Sequence, residues 1–583
     1  MDESLEEEIE RELGAMEEDG LENGSSNVSS LEEVEEGALG RIAIPGEEIF
    51  LSSTDSNLQM YIPEDLRDAV TIGQYVVVPL DYSDYNIFGK IERLSYSKRD
   101  ELDDLSEVHS LIHARRVGEE EYVEVAKIDP ISMIGNKGES EEVRLIPKPN
   151  AIVRQVQSEG EVRSGLDIPD KGLFLGYVSV GGEKIRFSED QTIGYYLIDS
   201  AEQKGEPLIF THLLIAGMTG RGKTHLAKNF LRQIVGSRYR TRRGSGPQRE
   251  ASLVIIDPEN EYHELSSDPD GEWTAEQERD LRMGEIKYGG VDELEVFAAD
   301  EEEATYSGGS SYSNFSLPFS LVQDFPYLLA TGGLNERQYD GLTLLIAQFF
   351  NEKSQGNYDD FLDFVKDEQV KKRFTEETGK IHSSTYRSLL RRVDKGYLRR
   401  IFDRPSVPLT DIYDQVFAEG KVSVFPTNHL STEAERVVVL AVMSMIAESK
   451  TRSVPTAWGK QLEKLPLILA VDEAHSYLTS PEAAQEREIV NKFDKAARQG
   501  RKNRLGLVLI TQNPLDLSED VLTNVNTRVL LGMDRKMAEK AGAPKEYLNA
   551  VPYFERGRMV VNSPDNSHPL ELKGLSRSLV KHK

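Results

Sequence analysis

Two glycines five residues apart, followed directly by lysine and threonine, form the first group in this sequence that could do chemistry. The stretch is "GMTGRGKTH", in which Gly222 immediately precedes Lys223 and Thr224. Glycines let backbone N–H groups turn toward phosphates, and a helix beginning there adds the positive end of its dipole. In such a P-loop the lysine reaches the β- and γ-phosphates of ATP, and the threonine hydroxyl binds Mg²⁺. The candidate nucleotide-binding residues are Gly217, Thr219, Gly220, Arg221, Gly222, Lys223, Thr224 and His225.

An acidic pair after a second apolar run supplies the other half of such a site. In "LILAVDEAH", Asp472 ends the run and Glu473 follows it. Asp472 is a candidate Mg²⁺ ligand beside Thr224, and Glu473 is a candidate base that orients or deprotonates the attacking water. Acidic residues at a helix N-terminus look the same in sequence. The P-loop upstream favours the catalytic interpretation.

Three further positions are weaker candidates. Gln512 ends the run "LGLVLITQ", where it could sense the γ-phosphate. Arg498 and Arg501 stand in "KAARQGRKNRLG", and an arginine from a neighbouring subunit can stabilise charge in the transition state. A solvated basic helix end explains these arginines equally well. Asp257 follows "SLVII" and could arrange water, although Asp-Pro also forms turns.

The apolar runs indicate how these residues are positioned. "LIFTHLLIAG" is predicted as one strand, and "KTHLAKNFLRQIV" is predicted as the helix after it. Further continuous apolar runs are typical of a parallel sheet covered on both faces. They are "SLVIID", "KVSVF", "LPLILAV", "LGLVLIT" and "TRVLLGM". The predicted fold class is therefore α/β, with a P-loop core.

Composition shifts along the chain predict five segments. They are an acidic disordered tail at 1–37, a small β-barrel or sandwich at 38–144, a β-rich lead-in at 145–206, a core at 207–575 with a mainly helical insertion at about 264–420, and a basic tail at 576–583.

Charge and cysteine content restrict the class of protein. The 583 residues include 69 Lys and Arg against 101 Asp and Glu, a net charge of −32. Zero cysteines exclude disulfides and thiolate metal sites. No run has the length of a membrane span, so a soluble, cytoplasmic protein without membrane contact is expected. Basic clusters at 238–249, 387–400 and 498–504 could meet nucleic-acid phosphates or be solvated surface.

In their order and spacing these motifs resemble the HerA family of hexameric ATPases, within the FtsK-like, RecA-type group. The resemblance rests on "THLLIAGMTGRGKTH", "IIDPENEY", "AVDEAH", "ARQGRKNRLGLVLITQNP" and "NVNTRVLLGM", and it spans residues 38 to about 575. The β-rich segment is similar to the HAS-barrel that precedes the motor in this family. The tetrapeptide "DEAH" also names another helicase group, but the Ser-Ala-Thr motif of that group is missing here.

The resemblance implies an ATP- and Mg²⁺-dependent translocase or helicase, with a homo-hexameric ring around double-stranded DNA. It further implies a partner nuclease of NurA type in DNA end processing and repair. Lys223 and Thr224 would bind nucleotide and metal, Asp472 and Glu473 would serve hydrolysis, and Arg498 would act in a neighbouring subunit. Gln512 would be the sensor. Arg221 stands where the family commonly has serine.

Two other functions remain compatible with the sequence. One is a related ring in antiviral defence, where the ATPase gates a partner effector. The other is a nucleotide-dependent assembly scaffold that does not translocate.

Overall fold

The computed structural model describes most of the chain as two compact units, up to residue 166 and from residue 167 onward. The described residues are 37–44, 48–52, 55–98, 122–188, 191–197, 208–236, 240–242, 248–302, 304–308, 312–330, 333–564 and 566–582. The acidic tail predicted at 1–37 lies, except for its last residue, outside them. No helix in these ranges is long and apolar enough to cross a membrane.

The first unit is a barrel of short strands, as predicted from its closely spaced turns. Its strands are β1 (Ala38–Ala43), β2 (Gln59–Tyr61), β3 (Tyr75–Pro79), β4 (Tyr85–Lys98), β5 (Tyr122–Gly135), β6 (Ser140–Glu141) and β7 (Ile152–Gln155), and helix α1 (Glu159–Leu166) follows. The strand order is β2-β1-β7-β3-β4-β5-β6, and β2 also pairs with β5, which closes six strands into a ring. Alternate side chains such as Val76, Val78, Ile87 and Ile91 fill the interior.

The second unit is built on one large sheet. Its strands are β8 (Leu173–Val180), β9 (Glu183–Lys184), β12 (Gly194–Leu197), β13 (Leu213–Ala216), β16 (Ser252–Asp257), β17 (Leu294–Ala299), β18 (Tyr312–Ser316), β19 (Val407–Pro408), β20 (Val422–Pro426), β21 (Leu467–Val471), β22 (Leu505–Thr511), β23 (Thr527–Leu531), β24 (Arg558–Asn562) and β25 (Leu570–Lys573). Two small hairpins lie outside it, β10 (Arg186–Ser188) with β11 (Gln191–Thr192) and β14 (Arg240–Arg242) with β15 (Gln248–Glu250).

The strand order determines which loops meet at the functional edge of this sheet. The order is β12-β8-β25-β24-β23-β13-β22-β21-β16-β20-β17-β18-β19, with β9 paired to β8. The strands from β23 to β19 are parallel, and β24, β25, β8 and β12 are antiparallel. The central strands are buried throughout, which confirms the prediction of a covered parallel sheet.

Helices cover the two faces of this sheet. They are α2 (Lys223–Gly236), α3 (Ala275–Met283), α4 (Glu336–Glu352), α5 (Tyr358–Lys366), α6 (Glu368–Lys372), α7 (Ser383–Val393), α8 (Gly396–Ile401), α9 (Tyr413–Val416), α10 (Thr432–Thr451), α11 (Ala457–Lys464), α12 (Ala484–Asn503), α13 (Glu519–Thr523) and α14 (Arg535–Lys540). Helix α10 is buried almost all round, and it anchors the largest hydrophobic core.

The prediction of one strand over "LIFTHLLIAG" is wrong at its first half. Residues Leu208–Thr211 form a 3-10 turn, and the strand proper is Leu213–Ala216. His212 between them has φ +67, a left-handed conformation that interrupts an extended chain. Its ring contacts the backbone through both nitrogens: Nδ1 accepts from the Leu507 N–H at 3.0 Å, and Nε2 lies 2.8 Å from the Ala497 carbonyl oxygen.

The stretch expected to be a mainly helical insertion is not helical throughout. It contributes β17, β18 and β19, which extend the parallel sheet at one end, as well as the helices α3 to α9. The polar, Gly- and Ser-rich sequence around residue 310 does not show the apolar pattern of a buried strand. The β18 strand is exposed or half-buried in its first three residues, which accounts for the weak signal.

The buried His212 makes the stability of this unit depend on pH. Burial lowers the pKa of His212, so the folded protein keeps the ring neutral where an unfolded chain would protonate it. Stability is therefore lost as the pH falls below about 6.5. His212→Asn removes the titrating group at a residue type that tolerates positive φ, and we expect its calorimetric unfolding midpoint to fall less between pH 7 and 5 than that of the wild type. His382→Asn, at an exposed histidine, is the control. If the unfolding midpoints of wild type and His212→Asn fell equally between pH 7 and 5, His212 would not be the group that causes the pH dependence.

Candidate nucleotide-binding site

The P-loop connects the end of β13 to the start of α2 at the carboxyl edge of the sheet. Gly220 and Gly222 have φ +80 and +97, values that L-residues adopt only with strain. Lys223 is 9% exposed and begins the helix, and Thr224 beside it is half-buried. The loop therefore has the conformation that directs backbone N–H groups and one lysine toward an anion.

Neighbouring strands hold this loop on both sides. The Gly217 N–H donates to the Thr511 carbonyl at 3.2 Å, and the Met218 N–H donates to the Gly532 carbonyl at 2.9 Å. Arg221, at the position where a serine was expected from the resemblance, donates from Nη1 to the Phe554 carbonyl at 2.9 Å. Its guanidinium thus fastens the P-loop to a later segment of the chain.

Asp472 lies at the end of β21, two strands away from the P-loop strand. It is 4% exposed, and it accepts hydrogen bonds from the Glu473 N–H at 2.9 Å and the Tyr262 hydroxyl at 3.2 Å. Burial, reinforced by the negative charge of Glu473, raises the pKa of Asp472 to about 7. Among the described residues no lysine or arginine forms an ion pair with it.

The chemistry of Asp472 fits a magnesium ion. A buried carboxylate without a positive partner is costly, and a hard divalent cation with oxygen ligands compensates it. The described part of the chain has no group of three or more His, Asp or Glu residues that could hold a metal by themselves. A magnesium ion here would accordingly rely on Asp472, Thr224 and the phosphates of the nucleotide, as is usual for this ion.

Glu473 has a strained backbone, with φ +47 and ψ 42. Non-glycine residues in this region are concentrated at functional sites, where surrounding contacts hold them. The Glu473 Oε2 atom lies 3.2 Å from the Nδ1 atom of His475, and the same nitrogen lies 3.1 Å from the Thr511 hydroxyl at the end of β22. His475 therefore joins the candidate base to the adjacent strand.

Gln512 follows β22 and contacts the P-loop directly. The Thr219 hydroxyl donates to its Oε1 atom at 2.7 Å. The structure thus brings together Gln512, Asp472, Glu473 and the P-loop at one edge of the sheet. His475 and Tyr262 belong to the same arrangement, and no spacing rule distinguished them in the sequence; "DEAH" supplied the only signal for His475.

Asp257 ends β16, next to β21, and its carboxylate shapes the turn that follows. Its carboxylate accepts from the Glu261 N–H at 2.9 Å and the Tyr262 N–H at 2.8 Å. It is fully buried, and burial raises its pKa to about 6. These contacts support the turn-forming role of Asp257, and its role in arranging water stays a prediction.

Behind the P-loop, α2 is fixed by a buried ion pair and by the C-terminal segment. Lys228 Nζ lies 2.7 Å from Glu264 Oε2, with both side chains almost fully buried. Asn229 accepts from the Leu579 N–H at 2.7 Å, and Leu579 is fully buried. Residues 576–582, expected to be a basic tail, thus pack on the nucleotide-binding helix.

His225 faces this C-terminal segment. Its ring centroid is 5.4 Å from that of His582. Burial, with smaller contributions from the charges of His582 and Arg556, lowers the pKa of His225 to about 4. The His225 side chain is therefore neutral and packed against protein.

The two arginines proposed as trans-acting groups lie on α12. The Arg498 side chain is 66% exposed and pairs with Asp494 at 3.0 Å; the side chain of Arg501 lies outside the described residues. Because α12 leads into the amino end of β22, Arg498 lies toward the sheet edge opposite Gln512. Within one chain the structure does not bring Arg498 to the P-loop.

Removing one partner of the Lys228–Glu264 pair should reveal its role. Lys228→Met leaves the Glu264 charge buried and unpaired, and we expect a loss of about 3–5 kcal/mol in the free energy of unfolding. Lys228→Met combined with Glu264→Met should recover most of it, because two well-packed apolar groups leave no orphan charge. Thermal unfolding measures both variants, with Lys371→Met at an exposed pair as the control. A double variant as unstable as the single one would show that the pair acts by packing alone.

Three protein-family profiles match the chain. They are the central domain of helicase HerA at residues 204–446, the HerA-like helicase C-terminal domain at 359–546, and the HAS barrel domain at 46–136. These ranges include strands β2 to β5 of the barrel, the P-loop, and strands β13 to β23 of the core.

Curated relatives of the chain are also named as helicases. The chain is 20% identical over 540 residues to the probable helicase MJECL08 of Methanocaldococcus jannaschii, covering 88% of this chain and 92% of that protein. It is 28% identical over 122 residues to the DNA double-strand break repair helicase HerA of Saccharolobus solfataricus, which is 21% of this chain and 23% of that protein. The corresponding Pyrococcus furiosus helicase is 35% identical over 66 residues, 11% of each chain. The matches to these two HerA helicases therefore span less than a quarter of their length.

Two solved structures are similar at low identity. VirB4 of Thermoanaerobacter pseudethanolicus is 15% identical with a TM-score of 0.45, over 70% of this chain and 96% of that one. The plasmid coupling protein TrwB in complex with ADP and Mg²⁺ is 12% identical with a TM-score of 0.44, over 66% of this chain and 93% of that one. The family assignment rests on the profiles, which confirm the resemblance seen in the motifs. The three profiles match the chain in order from residue 46 to residue 546, and the chain therefore belongs to the HerA family of helicase-type P-loop ATPases.

Proposed function

We propose that the protein is an ATP-hydrolysing motor that moves double-stranded DNA through a homo-hexameric ring, working with a NurA-type nuclease in DNA end processing. One observation carries the proposal. The P-loop, Asp472, Glu473 and Gln512 converge on one edge of a parallel sheet, in a chain that belongs to the HerA family. Ligands of open α/β sheets bind at this edge.

The P-loop and Asp472 would bind the nucleotide. Lys223 would neutralise the β- and γ-phosphates, and the N–H groups at the start of α2 would hold them. Thr224 and Asp472 would hold Mg²⁺, which when bound supplies positive charge to the phosphates. These residues orient the γ-phosphate toward Glu473 and Gln512.

Glu473 is the base in this proposal. Its left-handed backbone and the nearby His475 restrict where its carboxylate can point. A fixed carboxylate can accept a proton from water aligned with the γ-phosphate. Gln512 would report the state of the γ-phosphate to the P-loop through its contact with Thr219.

The proposed role of Arg498 requires a second subunit, as a ring would provide. Its exposed guanidinium lies toward the edge of the sheet remote from its own P-loop, so only a neighbouring subunit could present it to a nucleotide. An arginine supplied in this way stabilises charge in the transition state. Arg501, one turn further along α12, is the alternative.

The DNA surface is proposed on α7. Arg387 and Arg391 are exposed one turn apart, and neither forms an ion pair with a described carboxylate. That is notable in a chain with 101 acidic residues, where Arg399 nearby is already paired with Asp359. Unpaired arginines at helical spacing suit the phosphates of a nucleic-acid backbone.

The first test is ATP hydrolysis with and without linear duplex DNA, over a range of salt concentrations. We expect DNA to stimulate wild-type turnover, and Glu473→Gln to reduce it by at least about 100-fold because the base is lost. Glu482→Gln, at an exposed glutamate, is the control and should behave as wild type. Turnover that needs Glu473 but ignores DNA would contradict the motor and favour the gating or scaffold functions.

The second test concerns α7. A plot of the logarithm of the DNA-binding constant against the logarithm of the salt concentration has a negative slope. Removing one arginine–phosphate interaction reduces the magnitude of this slope by about 0.9. Replacing both Arg387 and Arg391 with glutamine should therefore lower the magnitude of the slope for duplex DNA by about 2. Turnover without DNA should stay unchanged. Arg399→Gln should alter the slope less, and an unaltered slope in the double variant would exclude this surface.

A further inference from the structure

The loop before β24, residues 551–557, is attached to the P-loop. The Phe554 carbonyl accepts from Arg221 Nη1 at 2.9 Å, and the Gly557 N–H donates to the Arg221 carbonyl at 3.3 Å. Between these contacts, Arg556 lies against Gly222: a Cβ atom at Gly222 would be 3.6 Å from the Arg556 Cγ atom. The Arg556 side chain thus begins beside the phosphate-binding loop, and its charge is close enough to lower the pKa of His225.

Arg556 has no partner within the described residues. It is exposed and makes no hydrogen bond or ion pair there, although acidic residues outnumber basic ones along the chain. Arg558, two residues later, differs in every respect. It pairs with Glu571 at 2.7 Å and stacks over the Phe554 ring at 4.4 Å. The contacts of Arg558 stabilise the fold, whereas the guanidinium of Arg556 is free to bind a ligand.

The strand order decides which end of a nucleotide Arg556 would meet. Strand β13 carries the P-loop and lies between β22 and β23. Asp472 and Gln512 lie on the β22 side. Arg556 lies on the other side, because β24 pairs with β23 and begins opposite its end, with Met559 across from Leu531. A nucleotide whose γ-phosphate points to Asp472 places its α-phosphate toward this second side.

We propose that Arg556 binds the α-phosphate of the nucleotide, as an additional nucleotide-binding residue. The proposal rests on the proposed nucleotide-binding function of the P-loop. Because ATP and ADP share the α-phosphate, Arg556 contributes to holding both and does not act in hydrolysis. Tyr553, which is 80% exposed in the same loop, could instead bring the loop to the base; the test separates the two.

The test is titration of the full-length protein with fluorescent ADP and, in the Glu473→Gln background, with ATP. Removal of a charge-assisted hydrogen bond in Arg556→Gln should raise both dissociation constants by about 10-fold. Arg556→Lys should recover part of the affinity, and turnover at saturating ATP should stay within about twofold of wild type. Arg282→Gln, at an exposed arginine without a described partner, should bind as wild type. The thermal midpoint reports whether Arg556→Gln folds normally.

Four outcomes would overturn the proposal. Unchanged dissociation constants would show that Arg556 does not contact the nucleotide. A loss of turnover with unchanged ADP binding would place Arg556 in hydrolysis. Weaker binding of ADP but not of GDP would indicate a contact with the base. Wild-type protein that binds no nucleotide would refute both this proposal and the motor, whereas nucleotide binding without DNA-stimulated turnover would refute the motor alone.

Discussion

The buried, unpaired carboxylate of Asp472 is the constraint on which the site depends. A parallel sheet covered by helices excludes water from the end of β21, and no described cation offsets the charge there. The resulting rise in the pKa of Asp472, to about 7, measures how poorly the protein alone accommodates the anion. In the proposed function, a bound cation would relieve that cost. Tyr262 and the Glu473 N–H hold the carboxylate in place meanwhile.

Contacts between neighbouring residues connect Asp472 to the other parts of the site. Glu473 leads to His475, which contacts Thr511 at the end of β22. One residue later Gln512 accepts from Thr219 in the P-loop. A change at the γ-phosphate would therefore act on residues already in contact, without any need to assemble them. The strained backbone of Glu473 is tolerated because its neighbours determine its conformation.

The sequence predicted those elements whose pattern lies within a short stretch of the chain, and it missed those that depend on distant residues. The P-loop helix, the barrel strands and the parallel core were predictable because their signals are local, namely helical spacing, closely spaced turns and continuous apolar runs, respectively. The turn at His212 was not, since its cause is a ring held by Ala497 and Leu507, almost 300 residues away. Tyr262 was missed for the same reason: its hydroxyl meets Asp472 only in the folded sheet. The role assigned to Arg498 stays a prediction, because its side chain lies toward the sheet edge opposite its own P-loop. The role assigned to Arg501 also stays a prediction, since its side chain lies outside the described residues.

Strand order also separates two tasks that the sequence does not separate. On the β22 side of the P-loop lie the acidic and amide groups suited to hydrolysis. On the β23 side lies a loop fastened through Arg221, which places the Arg556 side chain next to Gly222. An arginine in place of serine at position 221 is thus explained by the fold, because only a long side chain reaches the Phe554 carbonyl. Arg221 and the C-terminal strands therefore act together. The loop that leads into β24 holds the P-loop in place through Arg221.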